Sequence, residues 1–407
     1  MLCGTCLNRV VSVDAASVPT PQGAAELLQL LRDGRPRTRS DLVEESGLAR
    51  STVGARVDAL LASGLLASVG EAASTGGRPP TRFAFNRHAR IALGFDIGAT
   101  HATVAVTDLA GQPLAARTWS LAIDDGPEVV LTSVTRAARE LIREAGRTEA
   151  ELIGVGVGLP GPVEHSTGRP TNPPIMPGWD GYDVPSRLAR HFPVPVLVDN
   201  DVNVMALGEH AVAFGAEEHL IFVKVATGIG SGIISGGRLH RGAQGAAGDL
   251  GHIQAPHGAG IACRCGNTGC LEAVASGSAL AKALRELGIA AESSQDVVAL
   301  VRAGNLEATR LLRQAGRDIG DVLAMCVSLL NPSVIVVGGS LADAGETLLA
   351  GVREAVYRRS LPLATEHLRI VASQAREGAG VMGSALMVIQ QVLSPQGLDI
   401  PLADIRG

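Results

Sequence analysis

With 407 residues, 46% hydrophobic and 18% charged, the chain is too long for one core, which stops growing near about 250 to 300 residues, and too apolar for wholesale disorder; two or three globular domains are predicted. No apolar stretch approaches the roughly 18 to 20 residues of a membrane span, and Arg9 and Asp14 flank only a brief apolar run, which argues against a signal peptide and predicts a cytoplasmic protein with no membrane partner. The net charge of −5 is unevenly spread: Gln22 to Arg90 holds ten arginines against seven acidic residues, a positive segment on an acidic body that suits either contact with a polyanion or a solvated basic face.

Residues 1–21 show no periodicity and close on Pro19-Thr20-Pro21, so a flexible tail is expected, with Cys3 and Cys6 incidental. A domain over 22–87 follows. Leu27, Leu28, Leu30 and Leu31 stripe a first helix that stops at Asp33-Gly34, Asp41 to Ser46 forms a second that Gly47 breaks, and Arg50 to Ala62 a third with Val53, Val57, Leu60 and Leu61 at helical spacing. Burying that face leaves Arg50, Ser51, Thr52 and Arg56 on the other side, where a recognition helix presents side chains to base edges in a major groove. Leu65 to Val69 and Arg82 to Phe85 read as hairpin strands around Gly70 to Pro80, whose Arg78 on a stiff extended backbone suits a narrow minor groove. The pattern predicts a winged helix-turn-helix that binds double-stranded DNA; a plain three-helix domain with a solvated linker is the alternative.

From Ile91 the chain alternates strands and helices. One α/β lobe is expected over 88–215, with strands at Ile91 to Phe95, His101 to Thr107, Ala115 to Ser120, Ile153 to Leu159 and Val196 to Val198, and helices at Pro127 to Ala145, Val184 to His191 and Asp201 to Phe214. The alternation restarts at Leu220 to Ala226 for a second lobe over 216–393, with strands at Ile233 to Ile234, Val334 to Val337 and Leu368 to Ala372. Its helices run over Ser278 to Leu287, Asp296 to Ala303, Leu306 to Leu330, Glu346 to Arg359 and Gly380 to Leu393, and 394–407 form a C-terminal tail. The cleft between two such lobes is the default ligand site. Gly156-Val157-Gly158-Leu159-Pro160-Gly161 has the dinucleotide-binding spacing, but Pro160 and Pro162 obstruct the helix that this fingerprint requires at its third glycine.

Four segments carry chemistry. In Asp96-Ile97-Gly98-Ala99-Thr100 the Gly98 backbone admits a phosphate, Thr100 can donate to it, and Asp96 can orient a hydrated Mg²⁺. The alternating glycines of Ala226 to Gly232 repeat the theme with Thr227, Gly228 and Gly230 at the start of the second lobe. Between them, in Val198-Asp199-Asn200-Asp201-Val202-Asn203, Asp201 can accept a proton from a substrate hydroxyl while Asn200 orients a sugar, or Asp201 can merely cap its helix. Finally, Gly248-Asp249-Leu250-Gly251-His252 precedes Cys263, Cys265 and Cys270 in a C-x-C-x₄-C run that ends at Glu272. Three thiols and one imidazole suit a structural Zn²⁺, with a disulfide pair as the alternative, and a metal there draws Asp249 and Glu272 toward His252 as a polar cluster for sugar hydroxyls. Cys326, in an apolar helix, reads as core, and the only two lysines, Lys224 and Lys282, reflect composition.

Together the paired glycine loops and the cysteine loop resemble the ROK family of repressors, open reading frames and kinases, over roughly Ala24 to Leu393. The resemblance implies two actin/hexokinase-like α/β lobes with a structural zinc loop after the winged helix-turn-helix. It implies sugar contacts from Asn200, Asp201, Asp249, His252 and Glu272, zinc ligation by His252, Cys263, Cys265 and Cys270, and a nucleotide cleft built from Asp96 to Thr100, Thr227 to Gly232 and Gly338-Gly339. Family members with the N-terminal DNA-binding domain are typically sugar-responsive transcriptional regulators, and those without it ATP-dependent hexokinases. The implied function is therefore a regulator, a repressor, with a monosaccharide or derivative as effector, assembled as a homodimer or homotetramer. The alternative is a sugar kinase using ATP-Mg²⁺ with Asp201 as general base. This chain departs from the family pattern at Ala99-Thr100-His101, where kinases have Gly-Thr-Lys, at Asp249, where sugar-binding members have Glu, and at Ala49, where a capping Ser is usual.

Overall fold

A computed structural model describes residues 23–71 and 79–398; Arg78, the rest of the glycine-rich loop before it, Cys3, Cys6 and the N-terminal tail lie outside the described residues. The chain divides into two compact units, one holding the residues up to Ala89 together with those from Gln390 onward, the other Arg90–Ile389.

In the first unit three helices, Ala24–Leu31, Arg39–Ser46 and Arg50–Ala62, accompany a three-stranded antiparallel sheet in which Thr81–Phe85 lies between Arg37–Thr38 and Leu66–Glu71. Leu27, Leu28, Leu31, Leu42, Val53, Val57, Leu60 and Phe83 close its core. The second helix starts two residues before the expected Asp41, because Thr38 and Asp41 form a reciprocal cap: the Asp41 N–H donates to Thr38 Oγ1 and the Thr38 N–H to Asp41 Oδ2. Ala49 provides no side-chain cap for the third helix. Part of the expected C-terminal tail is ordered here: Pro395–Leu398 is a short helix against Ala24–Leu31, Leu398 is buried, and Gln29 Nε2 donates to Leu393 O at 2.6 Å.

The second unit contains two five-stranded sheets with one topology. The first is ordered Val196–Asn200, Leu152–Leu159, Ile91–Ile97, His101–Thr107, Pro113–Ser120; the second Arg369–Ala372, Val334–Gly338, His219–Val225, Ile229–Ser235, Arg238–His240. In each, an antiparallel meander of three strands is extended by two parallel strands on the side of its first strand. The closing helix, Ala379–Val392, was expected with the second lobe, yet it lies against the first sheet, where Ser384 Oγ donates to Phe95 O at 3.0 Å. Glycines permit that approach: a Cβ on Gly156 would stand 1.8 Å from Ser384 O, and one on Gly383 would stand 1.7 Å from Val204 O in the Asp201–Ala213 helix. Gly156 and Gly158 thus serve strand-to-helix packing, and the strand runs on to Leu159.

Candidate functional site

Several of the expected residues gather around the strand Ile229–Ser235. Its Gly230 lies under Val202, since a Cβ there would meet Val202 Cγ2 at 3.0 Å, which brings the start of the Asp201–Ala213 helix against it. On the same strand Ser231 Oγ donates to Gly248 O at 2.7 Å and so anchors the loop that carries Asp249, which is exposed, and His252 in the single 3₁₀ turn Leu250–His252. Glu272, in the first turn of Leu271–Ala275, accepts from the Ile229 N–H at 3.1 Å. The glycine-rich segment expected as an open phosphate loop is mostly strand: Gly230 pairs with Lys224 and Gly232 with Phe222, leaving only residues 226–228 as the hairpin turn, with Thr227 exposed.

Helix capping falls to Asn200, not Asp201. Asn200 Oδ1 accepts from the Val202 N–H at 2.9 Å, and its Nδ2 donates to Gly161 O at 3.0 Å. Asp201 is 4% exposed and its Oδ2 accepts from Lys224 Nζ at 2.5 Å. Burial works against the Lys224 charge, but Asp201, with a smaller contribution from Asp96, raises its pKa above the ordinary lysine value. Burial pushes the Asp96 carboxyl up to about 6; Lys224 pulls against that shift and Asp201 adds to it. Beside this cluster is a second one that sequence reasoning missed. Buried Asp199 accepts from Arg241 Nε at 2.6 Å, from Asn203 Nδ2 at 2.8 Å and from the Asn200 N–H at 2.8 Å. Asn203 Oδ1, also buried, has no hydrogen-bond partner among the described residues. Burial and then Arg241 lower the pKa of His165, whose Nδ1 lies 3.8 Å from Asp199 Oδ2.

Among the residues expected to meet a nucleotide, Gly98 donates its N–H to His101 O at 2.8 Å, and the His101 ring lies over it: a Cβ on Gly98 would stand 2.9 Å from His101 Cε1. Thr100 is exposed at that turn, and Gly339, with φ of 83°, backs onto Val225.

His252, Cys263, Cys265 and Cys270 each offer one ligand atom, all within 4.8 Å of one another, a group that could hold a metal ion. Cys263 Sγ lies 3.7 Å from His252 Nδ1 and Cys265 Sγ 3.7 Å from Cys270 Sγ, and none of the three cysteines is in a disulfide. Burial, with the neighbouring thiols, pushes the Cys270 thiol up to about 12.

In the N-terminal unit Arg50 and Ser51 are exposed and Thr52 half-buried. Arg56 is not presented with them: its guanidinium packs over Gly23 and pairs with Glu26 at 3.4 Å, leaving its side chain 13% exposed.

Comparisons with known proteins agree with this architecture. A xylose repressor from Bacillus spizizenii is 29% identical over 372 residues, covering 90% of this chain and 94% of the relative. The crystal structure of a ROK family transcriptional regulator, a homologue of the Escherichia coli MLC protein, superposes with a TM-score of 0.80 at 25% identity, covering 95% of this chain and 99% of that one. The ROK hexokinase of Thermus thermophilus superposes with a TM-score of 0.61 at 34% identity, covering 73% of this chain and 97% of its own. The ROK family profile matches residues 92–391, and the chain belongs to the ROK family.

Proposed function

We propose that this protein is a sugar-responsive transcriptional repressor, whose N-terminal unit is a winged helix-turn-helix and whose body binds a monosaccharide or derivative. One observation carries the reading: the xylose repressor and the ROK regulator cover 90% and 95% of this chain, whereas the hexokinase covers 73% of it. The three helices, with a hairpin after the third, are the elements such a DNA reader needs, and Arg50, Ser51 and Thr52 at the start of the third helix are its base-reading candidates. Arg78 stays a minor-groove candidate on sequence grounds alone. Asn200, Asp201, Asp249, His252 and Glu272 would meet sugar hydroxyls, and the loop that carries three of them depends on the metal. In a tetrahedral zinc site with Zn–S bonds of about 2.3 Å, sulfurs stand about 3.8 Å apart; the 3.7 Å separation of Cys265 and Cys270 supports a structural Zn²⁺. Zinc would hold the loop together and take no part in a reaction. A symmetric operator would be read by a homodimer or homotetramer. The kinase alternative rests on the likeness to the hexokinase and gives Asp201 the role of general base toward ATP-Mg²⁺ held by Asp96, Gly98, Thr100, Thr227, Gly228, Gly230 and Gly339.

A thermal-shift screen tests the reading first. A ligand that binds the native state selectively raises its melting temperature, so one or more monosaccharides should do so with ATP-Mg²⁺ giving no shift. Stabilisation by ATP-Mg²⁺ and by no sugar would contradict it.

A further inference from the structure

The chain has two lysines. Lys282 lies on a helix surface with its side chain 72% exposed. Lys224 instead interrupts an apolar strand, Ile221-Phe222-Val223-Lys224-Val225, in which every other one of these residues is buried. Its partners across the two neighbouring strands are Gly230 and Gly338. No side chain competes with it on either flank, and its stem has room to cross the sheet. The ammonium ends 2.5 Å from Asp201 Oδ2, with the Asp201 side chain 6% and the Lys224 side chain 24% exposed. Asp96 lies beside them: it pairs across the sheet with Gly158, and a Cβ on Gly158 would stand 3.5 Å from Asp201 Cα; its charge also acts on Lys224.

Phosphoryl transfer to a hydroxyl needs a carboxylate free to take the proton and a divalent ion to hold the phosphates. The residues here do not fit that ion. The Asp201 carboxylate already carries a hydrogen-bonded ammonium, and a Mg²⁺ brought to Asp96 would face that fixed positive charge in a partly buried setting, where screening is weak. We propose that Lys224 is a built-in cation that occupies the Asp201–Asp96 pair in place of a divalent ion, so that the cleft binds a sugar without phosphorylating it. The inference rests on the regulator reading and names the residue that withholds the chemistry. Asp201 then serves as a ligand group whose orientation Lys224 holds, and removing the lysine should free two carboxylates for an ion.

Mn²⁺ alone, titrated into the full-length, metal-loaded protein and followed by the electron paramagnetic resonance of the free ion, tests this. The native chain should show no saturable binding below millimolar Mn²⁺ at the pair, Lys224→Ala should bind at least tenfold more tightly, and Lys224→Ala with Asp201→Asn should lose that gain. Lys224→Ser gives the same reading if the alanine variant does not fold. No gain in either single variant, or native binding that Asp201→Asn abolishes, would overturn the proposal. Operator binding with and without sugar, measured on the same native preparation, judges the regulator reading separately: a sugar effect there with no Mn²⁺ gain sinks the role of Lys224 alone.

Discussion

Asp96 shows how a single residue reports on the cleft. Burial pushes its carboxyl up to about 6, well above the ordinary carboxylate range, so the native state binds the proton more tightly than the unfolded chain in that interval. Its contribution is present below about pH 4 and is lost as pH rises through about 6, a loss of about 2 to 3 kcal/mol for a shift of this size. Asp96→Asn should remove that slope, and urea melts of native and variant between pH 4 and 7 would show it; parallel profiles would contradict the placement. Arg56 makes a different case. Helical spacing put it on the DNA side with Arg50, but a long side chain chooses between neighbouring faces, and this one folds onto Glu26 and Gly23. Arg50→Ala should weaken operator binding by about 1 to 3 kcal/mol, whereas Arg56→Ala should lower stability by up to about 1 kcal/mol and leave base preference unchanged. Competition binding against single-base operator variants separates them: altered base preference in Arg56→Ala with unchanged melting would return it to the reading set. Asp201 was legible as a carboxylate between a strand and a helix. Lys224, Asp199 and Arg241 were not, because their partners are brought together by tertiary structure, although a lysine inside an apolar strand was a signal available in the sequence.

Among the elements, the cysteine loop was the most legible, since ligand type and spacing alone bring three thiols within a few residues. Cys265→Ser should lower bound zinc and reduce both melting temperature and sugar binding, because the binding energy of a structural metal is part of folding. Metal analysis and a thermal melt check this together, and full sugar affinity in a metal-free protein would refute it. Glycine-rich segments were read less well, because a glycine can serve a turn, a ligand or a packed helix and the sequence does not distinguish these. The run from Ala226 to Gly232 is largely a strand, and Gly156 and Gly383 are packing sites. Gly383→Ala should cost at least about 3 kcal/mol, since its methyl would overlap Val204 O and neither backbone can retreat cheaply. A melt within a degree or two of native would show that the helix crossing is looser than described.

At the scale of the whole molecule, strand and helix alternation was enough to predict an α/β architecture, because buried parallel strands are apolar throughout and the helices between them are amphipathic; that the two sheets share one topology was not legible in it. The return of the last helix to the first sheet was hidden, since a helix as largely apolar as Ala379–Val392 carries no mark of which sheet it meets. In the proposed function the two units are coupled: a sugar bound in the body would change affinity for DNA without being phosphorylated. An operator selected from random duplexes, then titrated with the full-length protein by fluorescence anisotropy at fixed salt, with hexoses, pentoses and N-acetylhexosamines added in turn and ADP release from ATP-Mg²⁺ followed in parallel, tests it most directly. The account predicts that at least one sugar changes operator affinity about tenfold or more, with no sugar-dependent ADP. Sugar-dependent ADP release with operator affinity unmoved by any sugar would contradict it.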